Sequence, residues 1–252
     1  MRTCLILFLK ELRSLFYSPV AWVVLALVMI INGFSFRAAV AVLERGPQTG
    51  SIVTWTFSSQ WFWMSYFFIF PLLTMRLFAE ERKLGTFETL FTAPVRTWQV
   101  VLAKYAAAVF FYCLLWLPSL GNFFLFQWMT AGAAEVPHGA LIGTYLLIFF
   151  MGLFNLAAGC FASALTSNQI VAAALSFTLS LMHFLLGIFI LYLGSRIPAA
   201  FVDMVYYIAS VQHIQTFTSG LLDTRPLVYY GTLSLLFLAF THHVLEFRRW
   251  RL

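Results

Sequence analysis

The longest uncharged run in this chain is the feature that most limits its fold. From Val136 to Ser195 there is no Lys, Arg, Asp or Glu. These sixty residues are too many for one crossing of a bilayer, which takes about 20 residues. They suit two crossings joined at the polar residues 163–169. Only 10% of the chain is charged and 62% is apolar, against about 25% and 45–50% in soluble domains. The sequence therefore predicts an integral membrane protein.

The predicted fold is all-α with six membrane-spanning helices. Other uncharged runs, bounded by charged or Gly-Pro residues, give the remaining crossings. We place the spans at residues 19–43, 58–78, 98–129, 139–163, 168–193 and 226–246. Thr97 is expected to cap the third span. Residues 44–56 and 131–138 are expected to be outer loops, and residues 194–225, which mix charged and apolar residues, interfacial or re-entrant helices on the same side.

Residues 1–17 precede the first span and are apolar on one helical face. The pattern is that of an amphipathic helix lying on the membrane, but the cytoplasmic flank of the first span is an equal alternative.

The distribution of basic residues predicts the orientation. If both termini are cytoplasmic, eleven of the fifteen Lys and Arg residues lie inside and four outside, as the positive-inside rule requires. The net charge of +6 then arises at span ends, so it does not indicate a nucleic-acid partner. The three cysteines show no metal or redox spacing.

A charged stretch between the second and third spans is the main candidate functional segment. Residues 80–83 can continue a helix out of the membrane. Gly85 can adopt the left-handed conformation that ends a helix, and Thr86 can cap the next one. Pro94 ends that second helix, because the residue before a proline is disfavoured in the α region. On charge pattern alone, a solvated cytoplasmic loop with ordinary caps is the default interpretation of the stretch.

The run E-E-R-K-L-G-T-F-E-T-L-F-T-A-P-V at 80–95 resembles the signature of the ABC-2 family of ABC-transporter permeases. The resemblance implies a type V exporter-like fold and favours the surface-helix interpretation of residues 1–17. It also implies that the 80–97 segment contains a coupling helix, which docks on a separate ATP-binding subunit. The residues expected at that interface are Glu80, Glu81, Arg82, Lys83, Gly85, Thr86, Glu88 and Thr89.

The C-terminal part resembles permeases of the gliding-motility-type ABC-2 subfamily. The resemblance rests on S-V-Q-H-I-Q-T-F-T-S-G-L-L-D-T-R-P-L-V-Y-Y at 210–230 and V-L-E-F-R-R-W at 244–250. It implies a bacterial inner-membrane protein that works with a second permease copy in the lipid bilayer, and it leaves room for a periplasmic accessory protein. The outer-segment residues singled out are His213, Phe217, Gly220, Asp223 and Arg225.

No catalytic residue is predicted in this chain. It contains no G-x-x-x-x-G-K-[ST] motif, so ATP and Mg²⁺ are expected on the partner subunit, with no cofactor or metal on this one. The expected function is that of an exporter permease. One alternative is a force transmitter that acts on an envelope partner without moving cargo. A second is an intramembrane hydrolase using Ser180 and His183, which lie one helical turn apart.

Overall fold

The computed structural model describes residues 2–46, 49–86, 95–131, 136–193 and 206–249. In these ranges the chain consists of α-helices and short connections, with no strand. The helices are α1 (Arg2–Tyr17), α2 (Pro19–Leu43), α3 (Ile52–Ser58), α4 (Gln60–Thr74), α5 (Ala79–Lys83), α6 (Thr97–Met129), α7 (His138–Leu165), α8 (Gln169–Leu193), α9 (Ser210–Thr218) and α10 (Thr224–Arg249).

Six stretches of the described chain are long and apolar enough to cross a membrane, which confirms the predicted six-span, all-α fold. They are Pro19–Leu43, Gln60–Lys83, Thr97–Met129, His138–Leu165, Gln169–Phe189 and Thr224–Arg249. The second of these contains α4, a turn at residues 75–78, and α5.

Helix α7 lies at the centre of the bundle. It packs against α4, α6, α8, α9 and α10, and small residues allow these close approaches. A Cβ atom added at Gly152 would overlap the ring of Tyr112 on α6, and one at Gly159 would overlap Thr74 on α4. By contrast, α2, α8 and α10 leave most of their apolar surface exposed, as expected of helices that face lipid or another membrane chain.

Helix α1 is separate from the first span and packs along α6 and α2. Ser18 has extended backbone angles and Pro19 begins α2, where a proline without an N–H group costs nothing. Phe16 makes an edge-to-face contact with Phe111 of α6, at 5.6 Å between ring centroids. Leu5 and Ile6, in contrast, are exposed. These exposed apolar side chains suit a helix beside the bilayer, although its depth there stays a prediction.

Two local predictions are wrong. The outer loop predicted at 44–56 contains the start of α3, because the Ser51 hydroxyl accepts a hydrogen bond from the backbone N–H of Thr54 and begins a helix. Thr97 does not cap the third span, since it is the first helical residue and Arg96 is the N-cap. There the side chain of Gln99 reaches back and accepts from the Arg96 N–H at 3.1 Å, so the cap comes from inside the helix.

Candidate functional site

A buried lysine lies at the centre of the charged end of the bundle. Lys104 on α6 has a side chain only 2% exposed. Its Nζ atom lies 2.9 Å from Glu11 Oε2 on α1 and 2.9 Å from Glu81 Oε1 on α5. Lys10 Nζ approaches both carboxylates from the surface, at 3.8 Å from Glu11 and 3.9 Å from Glu81. We call these four residues the ion-pair cluster.

The ion-pair cluster joins three elements that are far apart in the sequence. Withdrawing a charge from water costs several kcal/mol, and only well-placed opposite charges offset that cost. Lys104 therefore holds Glu11 and Glu81 close, and with them α1 and α5. The sequence contained a signal for this arrangement, because a lysine set inside an apolar helix usually faces a partner. Its partners, 93 and 23 positions away, were not identifiable.

A second ion pair lies in the turn between α4 and α5. Arg76 Nε donates to Glu80 Oε2 at 2.9 Å, and Nη2 donates to Oε1 at 2.7 Å. Arg76 Nη1 also donates to Ser18 Oγ at 2.8 Å, at the junction of α1 and α2. Both charged side chains are about one-third exposed, so this pair contributes less than a buried one. It nevertheless fixes the direction in which the chain leaves α4.

The start of α5 is anchored inside the bundle by Ser163 of α7. The Ser163 hydroxyl accepts hydrogen bonds from the backbone N–H groups of Phe78 and Ala79, both at 3.1 Å. These are N–H groups that a helix leaves without internal partners at its N-terminus. The sequence placed Ser163 in the polar junction between two spans. The structure instead places it within α7, fully buried. We call residues 75–86, which this serine anchors, the elbow.

The predicted coupling residues divide into two groups. Glu80 and Glu81 bond to Arg76 and Lys104, respectively, while Arg82 Nη1 donates to the carbonyl oxygen of Ala164 at 3.2 Å. These three side chains therefore face the bundle. The exposed members are Lys83, Gly85 and Thr86.

Gly85 follows the end of α5 in the left-handed conformation that the sequence predicted. Its φ angle is +70°, in the left-handed region that glycine adopts readily. Thr86 donates from its hydroxyl to the carbonyl of Glu81 at 3.3 Å. Glu88, Thr89 and most of the predicted helix at 86–93 lie outside the described residues, so the second half of the predicted interface stays a prediction.

A cavity of about 500 Å³ lies beside the ion-pair cluster, between α1 and the elbow. Its lining contains three basic and three acidic side chains: Lys10, Arg76, Lys104, Glu11, Glu80 and Glu81. Because these charges balance, the cavity favours no ion of either sign. It marks a space between α1 and the elbow rather than an ion-binding site.

The opposite end of the bundle is held by histidines and tyrosines. His213 on α9 is 4% exposed. Its Nε2 lies 2.9 Å from the carbonyl oxygen of Tyr206, and its Nδ1 lies 3.0 Å from the hydroxyl of Tyr230 on α10. A carbonyl only accepts, so Nε2 carries the proton and Nδ1 accepts from Tyr230. Burial lowers the pKa of His213 to about 4, opposed in part by the Tyr206 carbonyl and by Asp223.

The same network reaches a third helix through His183 on α8. Its Nε2 lies 3.1 Å from the hydroxyl of Tyr229, and its Nδ1 lies 3.4 Å from Ser210 Oγ. Tyr230 also lies within hydrogen-bonding distance of Ser210, at 3.2 Å. We call His183, Ser210, His213, Tyr229 and Tyr230 the His–Tyr network. It connects α8, α9 and α10 without a full charge.

The predicted outer-segment residues take different positions around α9. Phe217 is fully buried in the core. Gly220 has a φ angle of +87° just after α9, and Asp223 Oδ1 accepts from the N–H of Arg225 at the start of α10. A cavity of about 230 Å³ is lined by His213, Asp223 and Arg225, among others. The structure thus brings these three together around one cavity, whose lining does not include Phe217 or Gly220. Residues 194–205 lie outside the described ranges.

No catalytic pair and no metal cluster is found in the described ranges. Ser180 Oγ is buried without a hydrogen-bond partner there, while both ring nitrogens of His183 contact Tyr229 and Ser210. A serine nucleophile needs a hydrogen-bonded base, so the predicted Ser180–His183 hydrolase pair is not formed. No group of three or more His, Cys, Asp or Glu residues in the described chain could hold a metal ion.

A comparison with protein-family models gives a match over most of the chain. The family model described as "ABC-2 family transporter protein" matches residues 40–241. This range contains the elbow, Lys104 and the whole His–Tyr network, and it leaves out α1 with Glu11. No curated protein matches the chain.

Proposed function

Because the chain belongs to the ABC-2 family of transporter membrane proteins, we propose that it is the permease subunit of an ATP-driven exporter, coupled to its ATP-binding subunit through residues 80–95. Membership of this family implies a membrane-embedded chain that pairs with an ABC ATP-binding subunit. Export, the docking residues and the route of coupling are our proposals. The observation that carries them is the burial of Lys104 between Glu11 and Glu81.

The docking surface begins where the elbow leaves the bundle. Lys83, Gly85 and Thr86 are exposed, and the chain continues from them into the predicted coupling helix. Glu80, Glu81 and Arg82, which the sequence also assigned to the interface, bond within this chain. We therefore propose that they transmit movement and that residues from 83 onward make the contact.

Transmission into the bundle follows the buried contacts of the elbow. Displacing Glu81 from Lys104 would leave buried charges unpaired, which typically costs about 3–5 kcal/mol. The alternative is that α1 and α6 move together with the elbow, since Lys104 also holds Glu11. Ser163 connects the same elbow to α7. A rigid-body response of the helices to ATP-driven movement is the less costly outcome.

The charged end is proposed to face the cytoplasm. It carries Lys10, Arg76, Lys83, Lys104 and Arg248, in agreement with the positive-inside rule. The sequence contains no P-loop, so we place ATP and Mg²⁺ on the partner. The exposed apolar faces of α2, α8 and α10 leave ample surface for lipid and for a second permease copy.

Co-purification with the partner ATPase tests the docking proposal. We expect the double substitution Glu88→Arg and Gly85→Pro to abolish both association and stimulated ATP hydrolysis. The matched control is Glu44→Arg with Gly46→Pro, because Gly46 also has a positive φ, +122°, and follows a glutamate at the end of α2. Undiminished association in the first variant would remove the docking assignment, as would an equal loss in the control.

One observation favours a force transmitter as the second candidate. Helix α9 packs on α7, the helix that anchors the elbow, so movement of the elbow has a continuous packed path to the outer segment. Reconstituted vesicles separate the two functions. ATP hydrolysis that requires an envelope partner, with no solute moved, supports the transmitter, whereas solute accumulation supports the exporter.

A further inference from the structure

Two arginines from different elements meet at the carboxyl end of α7. Arg82 Nη1 on α5 donates to the carbonyl oxygen of Ala164 at 3.2 Å. Arg248 Nη2, near the end of α10, donates to the next carbonyl, that of Leu165, at 2.9 Å. The last carbonyls of a helix have no internal partner and carry partial negative charge, which explains why basic side chains gather there.

The positive charges of these two guanidinium groups are only partly balanced by the groups around them. Neither forms an ion pair with a carboxylate in the described part of the chain, unlike Arg76, which is paired with Glu80. On α10 the nearby Glu246 contacts His242, at 3.4 Å, and forms no ion pair with either arginine in the described residues. The end of a helix offsets roughly half an elementary charge, whereas two full positive charges lie beside it. An anion would complete this site.

The surface beside Arg248 is an apolar groove. Its volume is about 790 Å³, and it is lined by Leu165, His243, Val244, Phe247 and Arg248. Leu165 is 39% exposed and Phe247 61%. The groove runs where two membrane-spanning helices end, which is the depth at which a lipid phosphate meets its acyl chains. Arg82 is not part of this lining, but it bonds to the carbonyl next to the one that Arg248 bonds, so the groove opens beside a pair of cations at a bilayer edge.

We propose that this groove binds an anionic phospholipid, with its phosphate at Arg82 and Arg248 and an acyl chain along Val244 and Phe247. Guanidinium groups are well suited to this role, because their planar donors match phosphate oxygens. The bound lipid would bridge α5, α7 and α10. It would thus strengthen the contact between the elbow and the central helix independently of any ATPase, and the proposal does not depend on the transport function.

Lipid binding to the purified full chain tests this proposal. In mixed micelles, phosphatidylglycerol and phosphatidylcholine with identical acyl chains are titrated, and bound lipid is counted by native mass spectrometry. We expect a preference for phosphatidylglycerol that falls about fivefold for each arginine replaced, in Arg82→Gln and Arg248→Gln, since a basic residue near an anionic surface contributes on that order. Arg13→Gln is the control, because Arg13 is exposed on α1, which packs on α6 and α2.

The arginine substitutions also remove the two hydrogen bonds to the carbonyls of α7. If that loss prevents folding, a second variant still tests the proposal. Val244→Phe narrows the groove beside Arg248 and leaves both arginines in place, so we expect it to weaken phosphatidylglycerol binding severalfold. Three results would overturn the proposal: equal binding of the two lipids by the unsubstituted protein, a preference that survives both arginine replacements, or full binding in Val244→Phe. Displacement of phosphatidylglycerol by an equal concentration of inorganic phosphate would also overturn it, by showing a simple anion site.

Discussion

The two ends of the bundle bury polar side chains by different chemistry. At the charged end, Lys104 is enclosed by two carboxylates from separate helices. At the opposite end, His213 and Tyr230 share neutral hydrogen bonds. Removing one member of a buried ion pair costs about 3–5 kcal/mol, whereas leaving a neutral group unsatisfied costs about 1–3 kcal/mol. These values predict that the charged end loses more stability than the opposite end when one buried polar side chain is removed.

The largest effect should follow from Lys104→Met. This change leaves Glu11 and Glu81 partly buried with only the exposed Lys10 near them, at 3.8 and 3.9 Å, so we expect the free energy of unfolding to fall by up to about 3–5 kcal/mol. The measurement is unfolding of the purified protein in detergent. Lys83→Met is the control, because that lysine is exposed, and it should change stability by less than about 0.5 kcal/mol.

A triple variant sharpens the same point. In Lys104→Met with Glu11→Gln and Glu81→Gln, no buried charge remains at the three positions, so most of the lost stability should return. If the triple variant is no more stable than Lys104→Met, the loss comes from packing of the lysine chain and not from its charge. The ion-pair account of the charged end would then be wrong.

Acid should weaken the opposite end through His213. Its pKa is about 4 in the folded chain and 6.5 ordinarily, so the unfolded chain takes up the proton first as the pH falls. The contribution of neutral His213 to the free energy of unfolding is fully present above about pH 6.5. It is lost as the pH falls toward 4, and the loss amounts to up to about 3 kcal/mol. Unfolding measured between pH 7.5 and 4.5 should show a decrease that His213→Gln lacks. Parallel curves for the two proteins would contradict this prediction.

A neutral deletion in the His–Tyr network should cost less. Tyr230→Phe removes the hydroxyl that donates to His213 Nδ1 and contacts Ser210, and we expect a loss of about 1–3 kcal/mol. Tyr17→Phe is the control, because Tyr17 is 86% exposed and should change little. A loss as large as that of Lys104→Met would remove the distinction between the two ends.

The smallest effect is expected at the exposed end of the elbow. Gly85→Ala places a Cβ atom on a residue with a φ of +70°, which costs about 1–2 kcal/mol. Gly121→Ala, in the interior of α6 with open space around the added Cβ, should instead stabilise by about 0.5–1 kcal/mol. If Gly85→Ala lowers the free energy of unfolding while Gly121→Ala raises it in the same assay, the left-handed conformation of Gly85 is supported. Changes in the same direction would contradict it.

Features that depend on local sequence were predictable. The uncharged runs set the six spans because hydrocarbon excludes charge, and Gly85 in the left-handed region followed from its place after a charged helical turn. The C-terminal arginines were noted only within the resemblance at 244–250, and nothing there indicated that Arg248 and Arg82 meet at the end of α7. Pairing across the bundle depends on how helices pack, and one sequence does not specify that.

The candidate site was only partly predictable for the same reason. Lys104 was recognised as a basic residue near a span end, yet its role depends on Glu11 and Glu81 from two other helices. Ser163 was assigned to the polar junction between two predicted spans, because a serine in a polar cluster is more often in a turn than inside a helix. His213 was singled out as part of the predicted outer segment, but its burial depends on Tyr206 and Tyr230.

The anchoring of the elbow by Ser163 has a mechanical consequence. Two backbone N–H groups at the beginning of α5 share one acceptor that has no contact with solvent. The pivot of the elbow is therefore buried, adjacent to α7, while residues 83–86 form its exposed outer part. Under the proposed coupling, a push on these residues would apply torque about that internal pivot and would favour a tilt of the central helix over a slide along the membrane.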